Sequence, residues 1–453
     1  MVVTLKQRAV RSGNWVVFGH ITSQALRLGG NLVLTRLLVP EMFGVMTIVT
    51  IIMGGLSMFS DVGLLQNIVH SKRGEEREYL NTAWAIQIIR GFLIFVIALS
   101  LSYGLFFLGK AGYLSADTAY ANVDLPFILA IVSVTAVISA FNSIHMLLLN
   151  RKLVMGKLIV IELISQLIGL VFMLVWAWYK QEIWALVFGG IVSAIVKMAL
   201  SHALKLGFRC QLCWEKEAAH EIFHFGKWIF LSSILGFLLA QGDRILLGLW
   251  ITPDALGVYS IAFFLAMALK EILKKVVASV FYPMLSEVAR NNPSKLKGIY
   301  YKIRLKIDFI SMSAAGLMYS MGHVIIDVLY DDRYQEAGWM IEVLSLSIIF
   351  IGYSMAGVCL MAKGYVKSTT WLILIATVFL YISVPIAYNY YGIYGAILMI
   401  SLNYVIDIPS TFYMLKKHQL LDLKNEFRML PILLLSYALG EYLVFFFEAW
   451  GLQ

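Results

Sequence analysis

Long apolar stretches alternate with short polar segments along this sequence. Thirteen of the stretches have roughly the 20 residues that a helix needs to cross a bilayer, so each predicts a membrane-spanning helix. They cover residues 15–37, 42–66, 83–108, 123–148, 158–179, 183–204, 226–250, 257–281, 306–330, 338–362, 368–391, 393–415 and 431–450. The last stretch is the least regular, because Glu441 and Glu448 interrupt it. The pattern therefore predicts an all-α, polytopic membrane protein.

The helical pattern that opens the chain is repeated in its second half. Residues 13–48 align without a gap with residues 226–261. Identical pairs include Trp15 with Trp228, Pro40 with Pro253, and Gly44 with Gly257. Apolar composition alone would match leucines and isoleucines, but not these residue types at fixed spacing. Internal repeats are typical of transporters, whose halves move against each other.

The repeat also predicts how the chain is divided. We expect an N-terminal transmembrane lobe, a cytoplasmic linker with an amphipathic helix, a C-terminal transmembrane lobe and a region with an extra helix. These segments are residues 1–204, 205–225, 226–415 and 416–453. In the linker, we expect the side chains of Ile222, Phe223 and Phe225 to lie on the membrane surface.

Composition and charge agree with a membrane protein. Hydrophobic residues make up 60% of the chain and charged residues only 14%, whereas soluble domains carry about 25% charge. The loops on one side hold most of the basic residues behind the net charge of +9, and the opposite loops hold only Lys110, Lys180 and Arg333. Since positive residues mark the cytoplasmic side, we expect the N-terminus and the basic segment 282–305 to be cytoplasmic. The basic balance then requires no nucleic-acid partner.

Two further sequence features bear on processing and metal binding. The first apolar stretch is long and contains Arg27, so we expect no cleavable signal peptide. The three cysteines predict no disulfide framework. The spacing of Cys210, Cys213, His220 and His224 does not fit a zinc finger, so we expect no metal site.

The first predicted span carries a polar stripe. His20, Gln24, Arg27 and Asn31 recur at helical spacing, so they share one face of the helix. Such a face is costly in lipid and must contact other helices or water. In the repeat, Arg244 occupies the position of Asn31, so both opening helices place an arginine on the equivalent face.

Other polar residues lie within the predicted spans, and we expect them to line a central cavity. The cations are Arg90, Lys197 and Lys270, the carboxylates are Glu162, Asp243 and Asp407, and the amides are Asn142, Gln166, Gln241 and Asn403.

Four segments carry a resemblance to a known family. The run NLVLTRLLVPEMFGVMTI followed by FSDVGL, and the later run QGDRILLGLWITPDALGVYSI followed by FYPMLSEV, resemble the polysaccharide transporter family. That family belongs to the superfamily of multidrug, oligosaccharidyl-lipid and polysaccharide exporters. The resemblance implies two pseudo-symmetric six-helix bundles around a central cavity, plus one or two extra C-terminal helices. It also implies a flippase for undecaprenyl-pyrophosphate-linked repeat units in the bacterial inner membrane, for O-antigen, capsule or exopolysaccharide synthesis.

The resemblance assigns roles to the polar residues. A pyrophosphate suits cationic side chains, and arginine can bind two of its oxygens at once. The candidates for binding it are Arg27, Arg244, Arg90, Lys270 and Lys197. Asp243, Glu162 and Asp407 are the candidates for coupling to a proton or sodium ion, and no other cofactor is expected. The implied partners are the lipid-linked oligosaccharide, membrane lipids, and polysaccharide polymerase and export machinery.

Two alternatives stay open. A multidrug or other lipid exporter of the same superfamily would share the fold, although acidic cavities would suit cationic drugs better than the basic positions found here. A membrane glycosyltransferase or polymerase would be an enzyme, and it would be expected to carry a large outer loop or a carboxylate-rich metal motif. Because the outer loops are short and no such motif occurs, we expect a transporter that is not an enzyme.

Overall fold

A computed structural model describes residues 5–115, 117–203 and 210–449, and the regular elements of these residues are helical. They form two compact units. The first contains Met1–Phe237 with Gly248–Pro253, and the second contains Leu238–Leu247 with Asp254–Gln453. Residues 205–209 of the predicted linker lie outside the described residues.

The first unit is built on long helices whose apolar faces meet. Its helices are α1 Leu5–Leu37, α2 Pro40–Phe59, α3 Leu64–His70, α4 Arg77–Lys110, α5 Leu125–Ala140, α6 His145–Arg151, α7 Met155–Tyr179, α8 Trp184–His202 and most of α9 Lys216–Gly248. Small residues allow close approach between helices, as at Gly91 of α4, where an added Cβ would lie 2.2 Å from the Cβ of Ala140.

The predicted linker is partly embedded in the first unit. Ile222 is fully buried among residues of α3 and α4, including Ile68 and Leu80. Its carbonyl oxygen accepts a hydrogen bond from the Asn67 side chain at 3.3 Å. The expectation that Ile222 lies on the membrane surface is therefore wrong, because this side chain fills the core beneath the helix. Phe223 is exposed, whereas the side chain of Phe225 lies outside those described.

The second unit contains the remaining helices. They are α10 Pro253–Val276, α11 Tyr282–Asn291, α12 Leu296–Leu329, α13 Ala337–Ser345, α14 Ile351–Ala362, α15 Val366–Leu402, α16 Asp407–Lys417, α17 Leu423–Phe427 and α18 Leu430–Ala449. A π-helical turn, Val277–Phe281, joins α10 to α11. The core is centred on buried residues such as Leu285, Tyr300 and Met355.

The internal repeat appears as the same local structure in both halves. Helices α1 and α9 are each 33 residues long, and a short turn separates each from the next helix. That next helix begins with a proline in both halves, Pro40 in α2 and Pro253 in α10. Proline suits this position because the first helical N–H groups have no partner within the helix, so the missing donor costs nothing.

The structure differs from the predicted spans in number and continuity. Among the described residues, nine helices are long and apolar enough to cross a membrane, or up to ten if one bent pair forms a single span. Helix α1 is not among them, and its polar stripe interrupts the apolar pattern. The predicted span 393–415, and all but the first three residues of the predicted span 368–391, fall within the single stretch Trp371–Lys417. The backbone leaves helical geometry at Gly392, between them, with φ 61° and ψ −150°, a combination that is essentially restricted to glycine.

The predicted span 123–148 is broken rather than continuous. Helices α5 and α6 meet at an angle of 63° across residues 141–144. Polar side chains bind the backbone groups that the break frees. The carbonyl oxygen of Asn142 accepts hydrogen bonds from Trp84 at 3.1 Å and Gln87 at 2.9 Å. The Ser143 N–H donates to the Ser201 hydroxyl at 2.9 Å. Non-helical backbone at membrane depth is tolerated where such partners are present.

A fully buried charge cluster fastens the C-terminal region of the second unit. The guanidinium of Arg304, on α12, forms ion pairs with Asp308 at 3.3 Å and with Glu426, on α17, at 2.5 Å. The Tyr301 hydroxyl donates to the other oxygen of Glu426 at 2.7 Å. Arg304 lies between the predicted spans 257–281 and 306–330, and its side chain is buried inside the folded unit, where two carboxylates compensate its charge.

Candidate functional site

The first unit contains a cavity of about 660 Å³, called here the first cavity. Its lining includes Ser57, Arg90, Thr135, Asn142, Glu162 and Lys197. These residues come from α2, α4, α5, the break after α5, α7 and α8. The 63° bend between α5 and α6 turns the backbone at Asn142 and so helps to form the wall. Hydroxyl, amide and charged groups therefore face one space of the size usual for ligand sites.

A second cavity of about 550 Å³ adjoins the first. Its lining includes Ser23, Arg27, Asn31, Glu162, Gln166 and Lys197. The Ser23 hydroxyl donates to the Gln166 side chain at 2.6 Å, and the Gln166 amide donates to the Ser23 carbonyl at 3.1 Å. This pair of hydrogen bonds fixes α1 against α7, and it sets the depth at which Arg27 meets the cavity.

Glu162 and Lys197 line both cavities and form an ion pair, with 3.4 Å between the carboxylate and the ammonium. Both side chains remain open to solvent, at 57% and 35% exposure. An exposed pair of this kind contributes little to stability, about 0–1 kcal/mol. The pair is therefore better placed to act on a charged ligand than to hold the fold together.

The charges that line the two cavities are mainly positive. They comprise three cations, Arg27, Arg90 and Lys197, and one carboxylate, Glu162. Arg27 is exposed, and no carboxylate of the described residues lies within ion-pair distance of it. A cavity with this balance favours an anionic ligand.

Arg90 also borders a third space, an apolar groove of about 430 Å³. Its lining includes Phe59, Asp61, Ile89, Leu93, Trp214 and Phe223. The guanidinium of Arg90 donates to the Ser60 hydroxyl at 3.0 Å and lies 3.7 Å from Asp61. Asp61 in turn accepts a hydrogen bond from the Gly63 N–H at 2.9 Å, within the turn that precedes α3. The guanidinium of Arg90 also donates to the carbonyl and hydroxyl oxygens of Ser57, so Asp61 is one of several groups that hold it.

Polar contacts outside the membrane spans hold the segment that forms one wall of this groove. Arg73, in the loop between α3 and α4, binds Glu215 at 2.6 Å, and Glu215 precedes α9. Hydrogen bonds to the carboxylates of Glu215 and Glu76 raise the pKa of Arg73 above its ordinary value. The Glu215 N–H also donates to the Thr82 hydroxyl at 3.0 Å. These contacts fix the segment that carries Trp214.

In the second unit, the adjacent residues Asp243 and Arg244 are engaged with neighbours. Buried Asp243 accepts a hydrogen bond from the Tyr259 hydroxyl at 2.7 Å and lies 3.7 Å from Arg244. Arg244 donates to Gln241 at 2.9 Å and stacks over the ring of Phe263 at 4.1 Å. The two charges thus form a local pair.

The other predicted residues of the second unit lie on α10, in the short turn Asn403–Ile406 and at the start of α16. Lys270 is buried, with its ammonium 4.6 Å from the centre of the Tyr404 ring. Asn403 is also buried. One carboxylate oxygen of Asp407 is buried without a hydrogen-bond partner among the described residues. A buried carboxylate oxygen without a hydrogen-bond donor can bind a proton or a cation.

The polar positions predicted from sequence are thus only partly brought together. In the first unit, Arg27, Asn31, Arg90, Asn142, Glu162, Gln166 and Lys197 line the two adjoining cavities. His20 and Gln24 are half-buried on α1 and do not line these two cavities. Arg244, also a candidate for binding the pyrophosphate, belongs to the other unit, and its role stays a prediction. The apolar groove beside Arg90 was missed, because Trp214 is distant in sequence.

A search of protein families gives a match over residues 33–339 to the family described as "Polysaccharide biosynthesis protein". The chain belongs to this family. A relative of this family member is the lipopolysaccharide biosynthesis protein WzxC of Escherichia coli K12. The two are 22% identical over 453 residues, which cover 97% of this chain and 89% of WzxC. The resemblance of the four sequence segments to the polysaccharide transporter family is confirmed.

Solved structures show the same fold. The lipid II flippase MurJ, in an inward closed conformation, matches with a TM-score of 0.69 and 13% identity over 96% of this chain and 92% of MurJ. An inward-facing multidrug resistance MATE transporter of the MOP superfamily matches with a TM-score of 0.65 and 13% identity. That match covers 90% of this chain and 95% of the transporter. The all-helical, polytopic membrane fold is confirmed, and the family member is a multi-pass membrane protein of bacterial type.

Proposed function

We propose that this protein is a flippase that moves undecaprenyl-pyrophosphate-linked oligosaccharide repeat units across the bacterial inner membrane. The repeat units would feed O-antigen, capsule or exopolysaccharide synthesis. One observation carries the proposal: three cations and many neutral polar groups line two adjoining cavities of the first unit. A pyrophosphate is a compact anion that cationic side chains bind, and a glycan is a chain of hydroxyls that serine, threonine and amide groups can bind.

The family and the fold support the same function. The relative WzxC is named for lipopolysaccharide biosynthesis. The similar fold of MurJ is that of a lipid II flippase. We infer alternating access between two lobes, 1–204 and 226–415, with the N-terminus in the cytoplasm. Polysaccharide polymerase and export machinery would receive the cargo on the other side.

Coupling to an ion gradient is the second part of the proposal. Among the predicted carboxylates, Asp407 has the strongest case, because one of its buried oxygens lacks a hydrogen-bond partner among the described residues. The Asp243 carboxylate already accepts from Tyr259 and neighbours Arg244. The Glu162 carboxylate pairs with Lys197. Asp407 would therefore take up a proton or sodium ion as the cargo moves.

Deletion of the gene in its own host tests the function. Lipid-linked repeat units should accumulate on the cytoplasmic leaflet and surface polymer should disappear, while synthesis of the repeat unit continues. Failure to make the repeat unit would indicate an enzyme instead. If surface polymer stayed normal and sensitivity to cationic drugs rose, the protein would be a multidrug exporter.

A further inference from the structure

The apolar groove beside Arg90 lies against a charge and a polar cavity. Its lining side chains are large and exposed, including Ile89 at 57%, Leu93 at 52% and Phe223 at 49%. An exposed apolar groove whose lining includes an arginine suits a ligand that is both hydrophobic and anionic. Its volume of about 430 Å³ falls within the range of small-ligand sites, about 300–1,000 Å³.

Arg90 stands at the junction of two spaces of opposite character. It lines the apolar groove, which Trp214 and Phe223 also border, and it lines the polar first cavity, which Asn142 and Lys197 border. A ligand that touched Arg90 could therefore extend an apolar chain to one side and a polar chain to the other.

We propose that the groove binds the phosphate-proximal part of the polyprenyl chain of the substrate's lipid carrier. The proximal phosphate lies on Arg90, and the glycan extends from there into the first cavity towards Lys197. This inference rests on the proposed function and deepens it, because it fixes the order of the substrate's parts.

The same observations favour a polyprenyl-linked saccharide over an ordinary phospholipid. A phospholipid would occupy the groove and contact the cation, but its small headgroup would not fill the adjoining cavity of about 660 Å³. The 3.7 Å between the guanidinium of Arg90 and Asp61 is longer than a direct hydrogen bond. A phosphate oxygen could therefore approach Arg90 more closely than this carboxylate does.

Photo-crosslinking in lipid nanodiscs tests the groove. The probe is undecaprenyl monophosphate with a diazirine in its prenyl chain, and the labelled peptides are identified by mass spectrometry. Labels should fall on the groove, on α4 near Leu93 and on the segment that carries Trp214. Leu93→Trp fills the groove and should lower labelling about tenfold, because the chain loses buried apolar contact. Val96→Trp is the matched control, since Val96 is exposed on the same helix and does not line the groove.

The outcomes separate this inference from the function itself. Equal labelling of Leu93→Trp and wild type would overturn the groove, even if gene deletion still abolished surface polymer. Phosphatidylglycerol with the same diazirine label is the second probe. If it competed equally with the polyprenyl probe at equal concentration, the groove would be an ordinary lipid site and the inference would be wrong. Labelling of the groove by the polyprenyl probe that phosphatidylglycerol does not reduce would support the inference.

Discussion

The carboxylate of Glu162 lies 3.4 Å from the ammonium of Lys197, and both side chains line both polar cavities of the first unit. The pair therefore sits where the two cavities join. Because both groups are exposed to solvent, an anionic ligand could reach Lys197 and compete with Glu162 for it. This arrangement allows the ion pair to open when a charged ligand enters.

Neutralising either member of this pair should change ligand binding in opposite directions. Glu162→Gln removes the competing carboxylate, so the affinity for a pyrophosphate-linked oligosaccharide should rise. Lys197→Met removes the cation, so the affinity should fall. Thermal unfolding should hardly change in either variant, because exposed ion pairs contribute about 0–1 kcal/mol. Binding titrations in nanodiscs, with melting curves beside them, measure both effects. A shift of both variants in the same direction would contradict this role.

Arg27 should be essential for export without being needed for folding. Charge-assisted hydrogen bonds contribute about 1.5–3 kcal/mol, so Arg27→Ala should weaken substrate binding about ten- to hundredfold. Arg27→Lys should restore only part of the function, because a point charge replaces a bidentate fork. Surface polymer is measured beside the amount of protein in the membrane. Arg36→Ala, at the end of the same helix, is the control, and normal export by Arg27→Ala would refute the role.

The same measurement on Arg244→Ala tests the predicted equivalence of the two opening helices. Its guanidinium is already engaged with Gln241, Asp243 and the Phe263 ring. If it binds cargo, export should fall while the protein still inserts at wild-type level. If the alanine variant is instead depleted from the membrane, Arg244 is a structural partner of Asp243.

The basic loops predict which side of the membrane Ser294 faces. It is exposed in the turn Pro293–Lys295, inside the predicted cytoplasmic segment 282–305. In a background without Cys210, Cys213 and Cys359, Ser294→Cys should resist a membrane-impermeant thiol reagent in intact cells and react after lysis. Tyr113→Cys, in an opposite loop and highly exposed, should react without lysis. Efficient labelling at Ser294 in intact cells would reverse the orientation.

The buried ion cluster of the second unit predicts a large effect on stability. Glu426→Ala leaves the guanidinium of Arg304 with less compensating charge in a site where both side chains are fully buried. Removing one partner of a buried pair typically costs about 3–5 kcal/mol. Lys424→Ala changes an exposed residue of the same short helix and should melt like wild type. Equal melting of the two variants would mean that the cluster does not fasten α17.

Much of the fold could be predicted from the sequence because it depends on local patterns. The apolar stretches indicate membrane helices, and the repeat of Trp15, Pro40 and Gly44 indicates the paired opening of the two halves. The stripe that contains Arg27 and Asn31 follows from helical spacing, and both residues line a cavity.

The remainder depends on contacts between distant segments. Glu426 lies in a polar stretch where a carboxylate is ordinary, so nothing in its neighbourhood indicates burial against Arg304. No proline or glycine marks the break after α5 in the sequence. The break is stabilised by the side chains of Trp84 and Gln87, which donate to the carbonyl oxygen of Asn142. The groove beside Arg90 forms because a segment before α9 packs against α4.

The central claim is that the cationic cavities of the first unit carry a lipid-linked oligosaccharide across the membrane. It is tested most directly by reconstituting the purified protein into liposomes with fluorescent undecaprenyl-pyrophosphate oligosaccharide and measuring how much label becomes accessible on the opposite leaflet. Wild type should move the substrate faster than empty liposomes, and the double variant Arg27→Ala/Lys197→Met should not. Equal rates for wild type and the double variant, at equal amounts of folded protein, would contradict the account.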